Sequence, residues 1–318
     1  MYCLNLKSTD PYFNLAVDEY LLKQRHEDFL VIAINDRSVV TGKHQVAHRE
    51  LNTKFAFENS IPLIRRISGG GTVFHDEGNL NFSFILNSAE GKQIDFRKYT
   101  LPVIAFLDTL GVKASLEGRN DLKVNGLKIS GNAEHVFRNR VLHHGTLLYN
   151  TDLDILRSVL RKDTSAYSTR AVPSNPSHVG NLGDMTEHHN VKSINEFRSE
   201  IIQWFFNNQP GMQECVLTGD ENLAIGSLAL SKYRTWEWNY AYGPEYQFVN
   251  KFTALGGESF CLFNVRDGII TRCEAGGTEK FITTVRKLAG FRHMPEDILA
   301  VFSEENLDRT EINVFDFF

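Results

Sequence analysis

Cysteine is scarce in this chain. Its 318 residues include four, Cys3, Cys215, Cys261 and Cys273, with no C-x-x-C among them. That leaves no disulfide framework and no zinc-ligand spacing, and it fits a reducing compartment. A basic surplus is missing as well. Lys and Arg number 34 against 39 Asp and Glu, a net charge of −5, whereas nonspecific nucleic-acid binding calls for a positive excess. No run approaches the roughly 20 apolar residues of a membrane span, and the opening "MYCLNLKSTD" has no apolar signal core. There is no internal repeat and no low-complexity run. These absences point to a cytoplasmic, soluble protein with no membrane or nucleic-acid partner. What is present is a 42% hydrophobic content, enough for a sizeable core in one large domain or two unequal ones.

Hydrophobic periodicity and capping signals divide the chain. "TDPYFNLAVDEYLLKQR" reads as a helix, with Asp10 as cap and Pro11 in the first helical position. "FLVIAI" (29–34), "SVVTG" (38–42), "IPLIRRI" and "NFSFIL" (81–86) read as strands. "TLPVIAFLDTLG" reads as a helix closed by Gly111, and a hairpin follows at 121–130. Next come a strand at "GTLLYN", a helix at "DLDILRSVLRK", a loop over 163–190 and a capped helix at "SINEFRSEIIQWFFNN". After "YAYGPEYQF" a hairpin turning at "RDG" and helices near 278–290 and 295–302 form a small module. The expected fold is α+β, with a large mixed-sheet domain over 1–243, a linker over 244–257 and a small α+β domain over 258–318.

Three stretches carry chemistry. "RRISGGGTVFHDEGNLNFSF" sets Arg65 and Arg66 before three glycines. Consecutive glycines let amide N–H groups turn inward around an anion, and arginine's forked donor suits phosphate or carboxylate. Strand alternation aims only one of the two arginines at such a ligand, and a glycine-rich turn beside two surface arginines would read the same. The run matches neither nucleotide-loop motif, G-x-x-x-x-G-K-[ST] or G-x-G-x-x-G. In "GRNDLKVNGLKISG" the Asn125-Gly126 pair signals a two-residue hairpin. That turn pairs Val124 with Leu127, Lys123 with Lys128, Leu122 with Ile129 and Asp121 with Ser130. Lys123, Lys128, Asp121 and Ser130 then share a polar face that is either solvated or open to an anion. In "VLHHGTLLYN" the adjacent His143 and His144 point to opposite faces of a strand and so do not chelate one metal together. His188 and His189 read as surface residues, and "WEWNY" (236–240) as packing aromatics.

In order and spacing these stretches closely resemble the lipoate-protein ligase A family. "PYFNLAVDEYLL", "VVTGKHQ" and "WEWNYAYGPEY" extend the resemblance over nearly the whole chain. It implies a catalytic domain of the biotin/lipoate ligase type, with ATP and Mg2+ as cofactors and lipoate as substrate. Lipoate is adenylated to lipoyl-AMP, and the lipoyl group then passes to a lysine of a lipoyl-carrier domain. By matching motif positions, Arg66, Gly71, Thr72, Val73 and Phe74 hold the nucleotide phosphates and wall the pocket. Lys128 is the catalytic residue, between the lipoyl carbonyl and the phosphate. Asp121 orients Lys128 or binds magnesium. Gly70, His75, Ser130, His144 and Gly145 join Lys128 on lipoate, whose tail enters an apolar tunnel lined by residues such as Phe74 and Phe82. The C-terminal module of the family packs over the site and rotates, which makes Gly243-Pro244 and Gly256-Gly257 the expected hinges.

The resemblance further implies carrier partners in the 2-oxoacid dehydrogenase acyltransferase subunits and the glycine-cleavage carrier protein. Lys43, His44, Arg138 and Arg140 are the expected docking patch. A carrier-to-carrier octanoyl or lipoyl transferase on the same scaffold works through a cysteine thiolate, and no cysteine falls in the chemistry-bearing stretches. Biotin ligase shows a G-R-G-R-x-G block that this chain lacks. A noncatalytic lipoyl-binding regulator is the remaining alternative, disfavoured by the intact Lys128 and glycine run.

Overall fold

The computed structural model describes residues 1–88, 94–185, 191–307 and 311–318, so His188 and His189 lie outside the described residues. In chain order the strands of the first half are β1 (Tyr2–Asn5), β2 (Phe29–Ile34), β3 (Ser38–Thr41), β4 (Leu63–Arg65), β5 (Val73–His75), β6 (Asn79–Asn87), β7 (Ser115–Glu117), β8 (Asp121–Val124), β9 (Leu127–Phe137) and β10 (Arg140–Leu148). The later strands are β11 (Tyr167–Thr169), β12 (Gln213–Cys215), β13 (Tyr246–Ala254), β14 (Gly257–Arg266) and β15 (Ile269–Gly276). The helices are α1 (Pro11–Gln24), α2 (Ala47–Glu50), α3 (Thr53–Glu58), α4 (Phe96–Thr109), α5 (Leu153–Val159), α6 (Ile194–Asn208), α7 (Gly219–Leu228), α8 (Glu279–Arg286) and α9 (Pro295–Glu304).

An eight-stranded sheet ordered β12-β1-β2-β6-β10-β9-β8-β7 forms the floor of the molecule. Its strands alternate, and each face buries its own core. Leu30, Ile32, Phe82, Phe84 and Val141 pack on Phe106 of α4 and on Phe197 and Phe205 of α6. On the other face Val31, Ala33, Ile85 and Leu142 meet Leu15, Val17 and Leu21 of α1 and Ile225 of α7. Asp10 caps α1 as expected, its carboxylate accepting from the Tyr12 amide at 3.0 Å. Wedged between the sheet and α7, α1 also buries Asn14, Asp18 and Glu19, and each has polar partners. Glu19 accepts from Lys23 Nζ at 2.6 Å, Lys232 Nζ at 2.7 Å and the Tyr233 hydroxyl at 2.6 Å.

A three-stranded sheet, β4-β3-β5, stands beside this floor. The glycine run links β4 to β5. The C-terminal sheet is β11-β13-β14-β15, covered by α8 and α9 around Phe248, Phe263, Phe281, Phe302 and Phe317. No helix among the described residues is long and apolar enough to cross a membrane.

Four expectations change. The segment 244–257 is mostly a strand: Tyr246–Ala254 pairs with β14 along its whole length, and Leu255 and Gly256, with φ of 50° and 75°, form the turn between them. Gly256-Gly257 is therefore a hairpin corner. The loop 163–190 contributes β11, which pairs Tyr167 with Phe248. The helix expected from Thr100 starts at Phe96, capped by Asp95, and carries Pro102 inside it. In the β8–β9 hairpin Lys123 faces Lys128, but the register then shifts so that Leu122 faces Ser130 and Asp121 faces Gly131. Ile129 is the extra residue of this bulge.

Candidate functional site

Where α1, β2, β5, β6, β9 and β10 converge under the glycine run lies a cavity of about 490 Å³. Of the expected site residues, Arg66, Gly70, Gly71, Thr72, Val73, His75, Asp121, Lys128, His144 and Gly145 line it. Phe74 and Ser130 do not. Phe74 is 1% exposed and packs with Val39, Ala47 and Leu51 behind the small sheet. It lies between Val73 and His75, both on the cavity wall, so strand alternation turns it away. Ser130 is fully buried and its hydroxyl accepts from Asn132 Nδ2 at 3.2 Å. The bulge gives the place expected for Ser130, beside Lys128, to Gly131. Phe82 does line the cavity.

Lys128 Nζ lies 2.9 Å from Asp121 Oδ1. A Cβ on Gly131 would sit 3.2 Å from both Cε and Nζ of Lys128, so the glycine makes room for the ammonium to fold back over its own strand. The strand is held on its outer side by 178–180: the Lys128 amide donates to His178 O at 2.8 Å and Gly180 N donates to Lys128 O at 3.1 Å.

The two arginines divide their work. Arg65 is fully buried and donates to the carbonyls of Gly42, Lys43, Gln45, Trp238 and Asn239 at 2.8–3.1 Å. Arg66 faces the cavity. Its Nη2 donates at 2.7 Å to both Gly69 O and Gly71 O, its Nη1 to Val40 O at 3.0 Å and its Nε to Ser68 Oγ at 2.9 Å. Burial lowers both guanidinium pKa values to about 10, which still leaves both cationic at neutral pH. Arg66 thus clamps the glycine run by its carbonyls. Gly70 needs glycine for its φ of 91°. Gly42 needs it because a Cβ there would fall 2.1 Å from Gly70 O.

The histidines differ in environment. Burial, then Arg66 and His144, push His75 down to about 3, so its ring is neutral. Asn35 Oδ1 accepts from Asn14 Nδ2 at 2.7 Å, and its Nδ2 stands 2.9 Å from His75 Nδ1. That amide is the donor, which leaves the ring hydrogen on Nε2. His144 lies between Ser68 Oγ, 2.6 Å from Nε2, and Asp18 Oδ2, 3.3 Å from Nδ1. His143 points to the opposite face, as expected, and its Nδ1 meets Glu134 Oε1 at 2.9 Å.

Several residues of the cavity were missed. Asn14, Asp18, Asn35, Ser83 and Thr146 line the cavity, yet within helix and strand patterns they read as ordinary polar positions. Over the glycine run lies the 172–175 segment. Ser174 Oγ accepts from the Thr72 amide at 2.8 Å and from Gln45 Nε2 at 3.1 Å. Gln45 Oε1 in turn accepts from Gly42 N at 2.9 Å and Thr72 Oγ1 at 2.8 Å.

No cysteine borders the cavity. Burial pushes Cys3 up to about 12, Cys215 to about 11, Cys273 to about 12 and Cys261 upward, so all four are thiols at neutral pH. Of the expected docking patch, His44 and Arg138 are exposed and Lys43 is half-buried. Arg140 is buried, donating to Asn87 Oδ1 at 2.9 Å and Glu27 O at 2.7 Å, and so is no part of a surface patch.

Residues 10–206 match the family model described as the lipoyl protein ligase A/B catalytic domain. Lipoate–protein ligase 1 of Staphylococcus aureus is 36% identical over 309 residues, covering 95% of this chain and 93% of the relative. A solved lipoate-protein ligase A bound with ATP superposes with a TM-score of 0.62 at 29% identity, over 75% of this chain and 98% of that one. A bipartite lipoate protein ligase of Thermoplasma acidophilum, solved in a study with its E2 lipoyl domain, gives 0.62 at 28% identity, over 75% and 95%.

Proposed function

The chain belongs to the lipoyl protein ligase A/B family, and on that premise we propose that it is an ATP-dependent lipoate-protein ligase. It activates lipoate as lipoyl-AMP and transfers the lipoyl group to a lysine of a lipoyl-carrier domain. The observation that carries this reading is one cavity with two kinds of wall. Arg66, Lys128 and the glycine run form the cationic and amide-rich part, and Leu15, Val31, Ala33, Val40 and Phe82 form the apolar part.

A carboxylate is a poor acyl donor because its leaving group is an oxide. Attack of a lipoate carboxylate oxygen on the α-phosphorus of ATP forms the acyl–phosphate bond and releases pyrophosphate. The amine of the carrier lysine then attacks the carbonyl carbon, AMP departs, and the nitrogen loses a proton. Both steps gather negative charge on oxygen. The ammonium of Lys128, held by Asp121, and the guanidinium of Arg66 are fixed before the reaction, so they stabilise that charge without reorganising. His75, kept neutral, offers a hydrogen bond from Nε2 without adding charge. The apolar walls suit a hydrocarbon tail.

The donor set fits a magnesium ion carried on the nucleotide. Among the described residues no three His, Cys, Asp or Glu side chains gather, and magnesium is commonly held by one or two carboxylates plus phosphate oxygens. Asp121 is the carboxylate we assign to it. The carriers we assign are the 2-oxoacid dehydrogenase acyltransferase subunits and the glycine-cleavage carrier protein, in line with the related ligase studied with its E2 lipoyl domain. Lipoate and ATP are taken by residues within 1–243, and the module from Tyr246 onward serves as the accessory part. Four unpaired cysteines support a cytoplasmic setting.

The test is pyrophosphate release from ATP and magnesium, with and without lipoate, followed by mass analysis of an added lipoyl domain. Lipoate-dependent release and a lipoyl-sized mass gain are expected. ATP-free acyl exchange between carriers would overturn the reading.

A further inference from the structure

We propose that Asp18 is a positioning residue for adenylation, acting through His144 and Ser68 on the orientation of Arg66. The proposal rests on the ligase reading above. Asp18 is 93% buried by its 7% exposure, on the α1 face that borders the cavity. Its Oδ2 accepts from Ser83 Oγ at 3.0 Å and lies 3.3 Å from His144 Nδ1. The far side of the same imidazole, Nε2, is 2.6 Å from Ser68 Oγ, and Ser68 Oγ accepts from Arg66 Nε at 2.9 Å.

Hydrogen counting fixes the direction of the chain. A carboxylate only accepts, so His144 carries a hydrogen on Nδ1 and donates it to Asp18. In the Nδ1–H tautomer that this contact selects, Nε2 is the acceptor and takes the Ser68 hydroxyl hydrogen. That turns a lone pair of Ser68 Oγ toward Arg66 Nε–H. With Nε held, Nη2, which shares the Nε edge of the guanidinium, is aimed at Gly69 O and Gly71 O. The carbonyls of the glycine run are thereby tied back toward Arg66. One carboxylate on α1 thus sets the tautomer of His144, the rotor of Ser68 and the fork of Arg66. Asp18, His144 and Ser68 share the residue types of a hydrolytic triad but not its chemistry. Ser68 is fully buried, does not border the cavity, and has a lone pair committed to Arg66, so it is no nucleophile.

A double-mutant cycle tests this. The kcat and the KM values for ATP and for lipoate in lipoate-dependent pyrophosphate release are measured for the wild type, Asp18→Ala, Ser68→Ala and the double variant. Each single change is expected to lower kcat/KM for ATP about tenfold, and the double variant to lose no more than either, because residues acting through one chain couple. Asp18→Asn, which keeps an acceptor oxygen for His144 Nδ1–H, is expected to recover most of the loss in Asp18→Ala. Losses that multiply to about a hundredfold, or a change confined to the KM of lipoate, would overturn the proposal and leave Asp18 as a wall of the tail pocket. Should Asp18→Ala not fold, His144→Phe replaces it in the cycle with the same expectation. A wild type that releases no pyrophosphate would instead refute the ligase reading, so the two failures are distinct.

Discussion

Arg65 and Arg66 are neighbours of one residue type, and burial gives them opposite tasks. Arg65 spends all its donors on carbonyls of the 42–45 turn and of residues 238 and 239, stitching the small sheet to the aromatic segment. Arg66 spends Nη2 on the glycine run, with Nη1 on Val40 O and Nε on Ser68 Oγ, and faces the ligand space. Strand alternation anticipated that only one of them would reach a ligand, and the family resemblance selected Arg66. Lys128 is the residue to which we assign the chemistry. Removing a preorganised charge donor costs about 10²–10³ in rate, so Lys128→Ala is expected to slow lipoyl-AMP formation by at least that factor while its melting temperature stays near the wild type. Stopped assays of lipoate-dependent pyrophosphate release measure the loss, and near-normal release would remove Lys128 from the catalytic role. Phe74 and Ser130 are the two residues carried over from the family pattern that do not line the cavity. The first lies on the wrong parity of its strand, and the second is displaced by a bulge.

The β8–β9 hairpin carries Lys128, the residue to which the proposed catalysis is assigned. Asn125 and Gly126 adopt φ of 50° and 79°, the double left-handed turn that Asn-Gly favours. Lys128 follows two residues later, so the turn sets its register. Gly126→Ala places a Cβ in a left-handed conformation at about 1–2 kcal/mol. A lower melting midpoint is expected together with a fall in kcat; a fall in stability with unchanged kcat would mean that the 178–180 segment alone keeps Lys128 in place. The Asn-Gly pair made the hairpin legible. Its bulge was not, because the shift at Leu122/Lys123 has no local signature. Much the same holds at 246–254. "YQFVNKF" alternates as a strand does, but the Gly-Pro before it and the two glycines after it masked an element that pairs on both sides.

Across the whole molecule, two buried histidines join the parts. His48 of α2 stands with Nε2 2.7 Å from His293 O, and His293 stands 2.6 Å from both the Tyr246 hydroxyl and Phe317 O, stacked on Phe318 at 4.6 Å. Burial lowers His293 to about 4, nearby Arg161 opposes its protonation further, and burial lowers His48 well below the ordinary value. The folded state therefore binds fewer protons than the unfolded state below the usual histidine pKa of about 6.5. Stability from this joint is complete above that pH and is lost as the pH falls toward 4. His293 alone should cost about 2 kcal/mol at pH 5. Calorimetric melting from pH 7.5 to 4.5 should show the decline, and His293→Phe should flatten it; an unchanged slope would assign the acid sensitivity elsewhere.

The sequence by itself determined the family, the α+β class, the cap of α1, the Asn-Gly turn and the separation of His143 from His144. Each of these rests on local chemistry: capping, turn conformation or strand parity. The motif order likewise marked Arg66, Lys128 and the glycine run as one site, because phosphate and carboxylate recognition needs forked donors, ammonium groups and bare amides. Tertiary structure alone decided that Asp18 and Ser68 meet across His144, that Gly42 yields its Cβ space to Gly70, and that β11 completes the C-terminal sheet. Those contacts join residues that are dozens of positions apart, and nothing in a local pattern records which distant polar atom will satisfy a buried one.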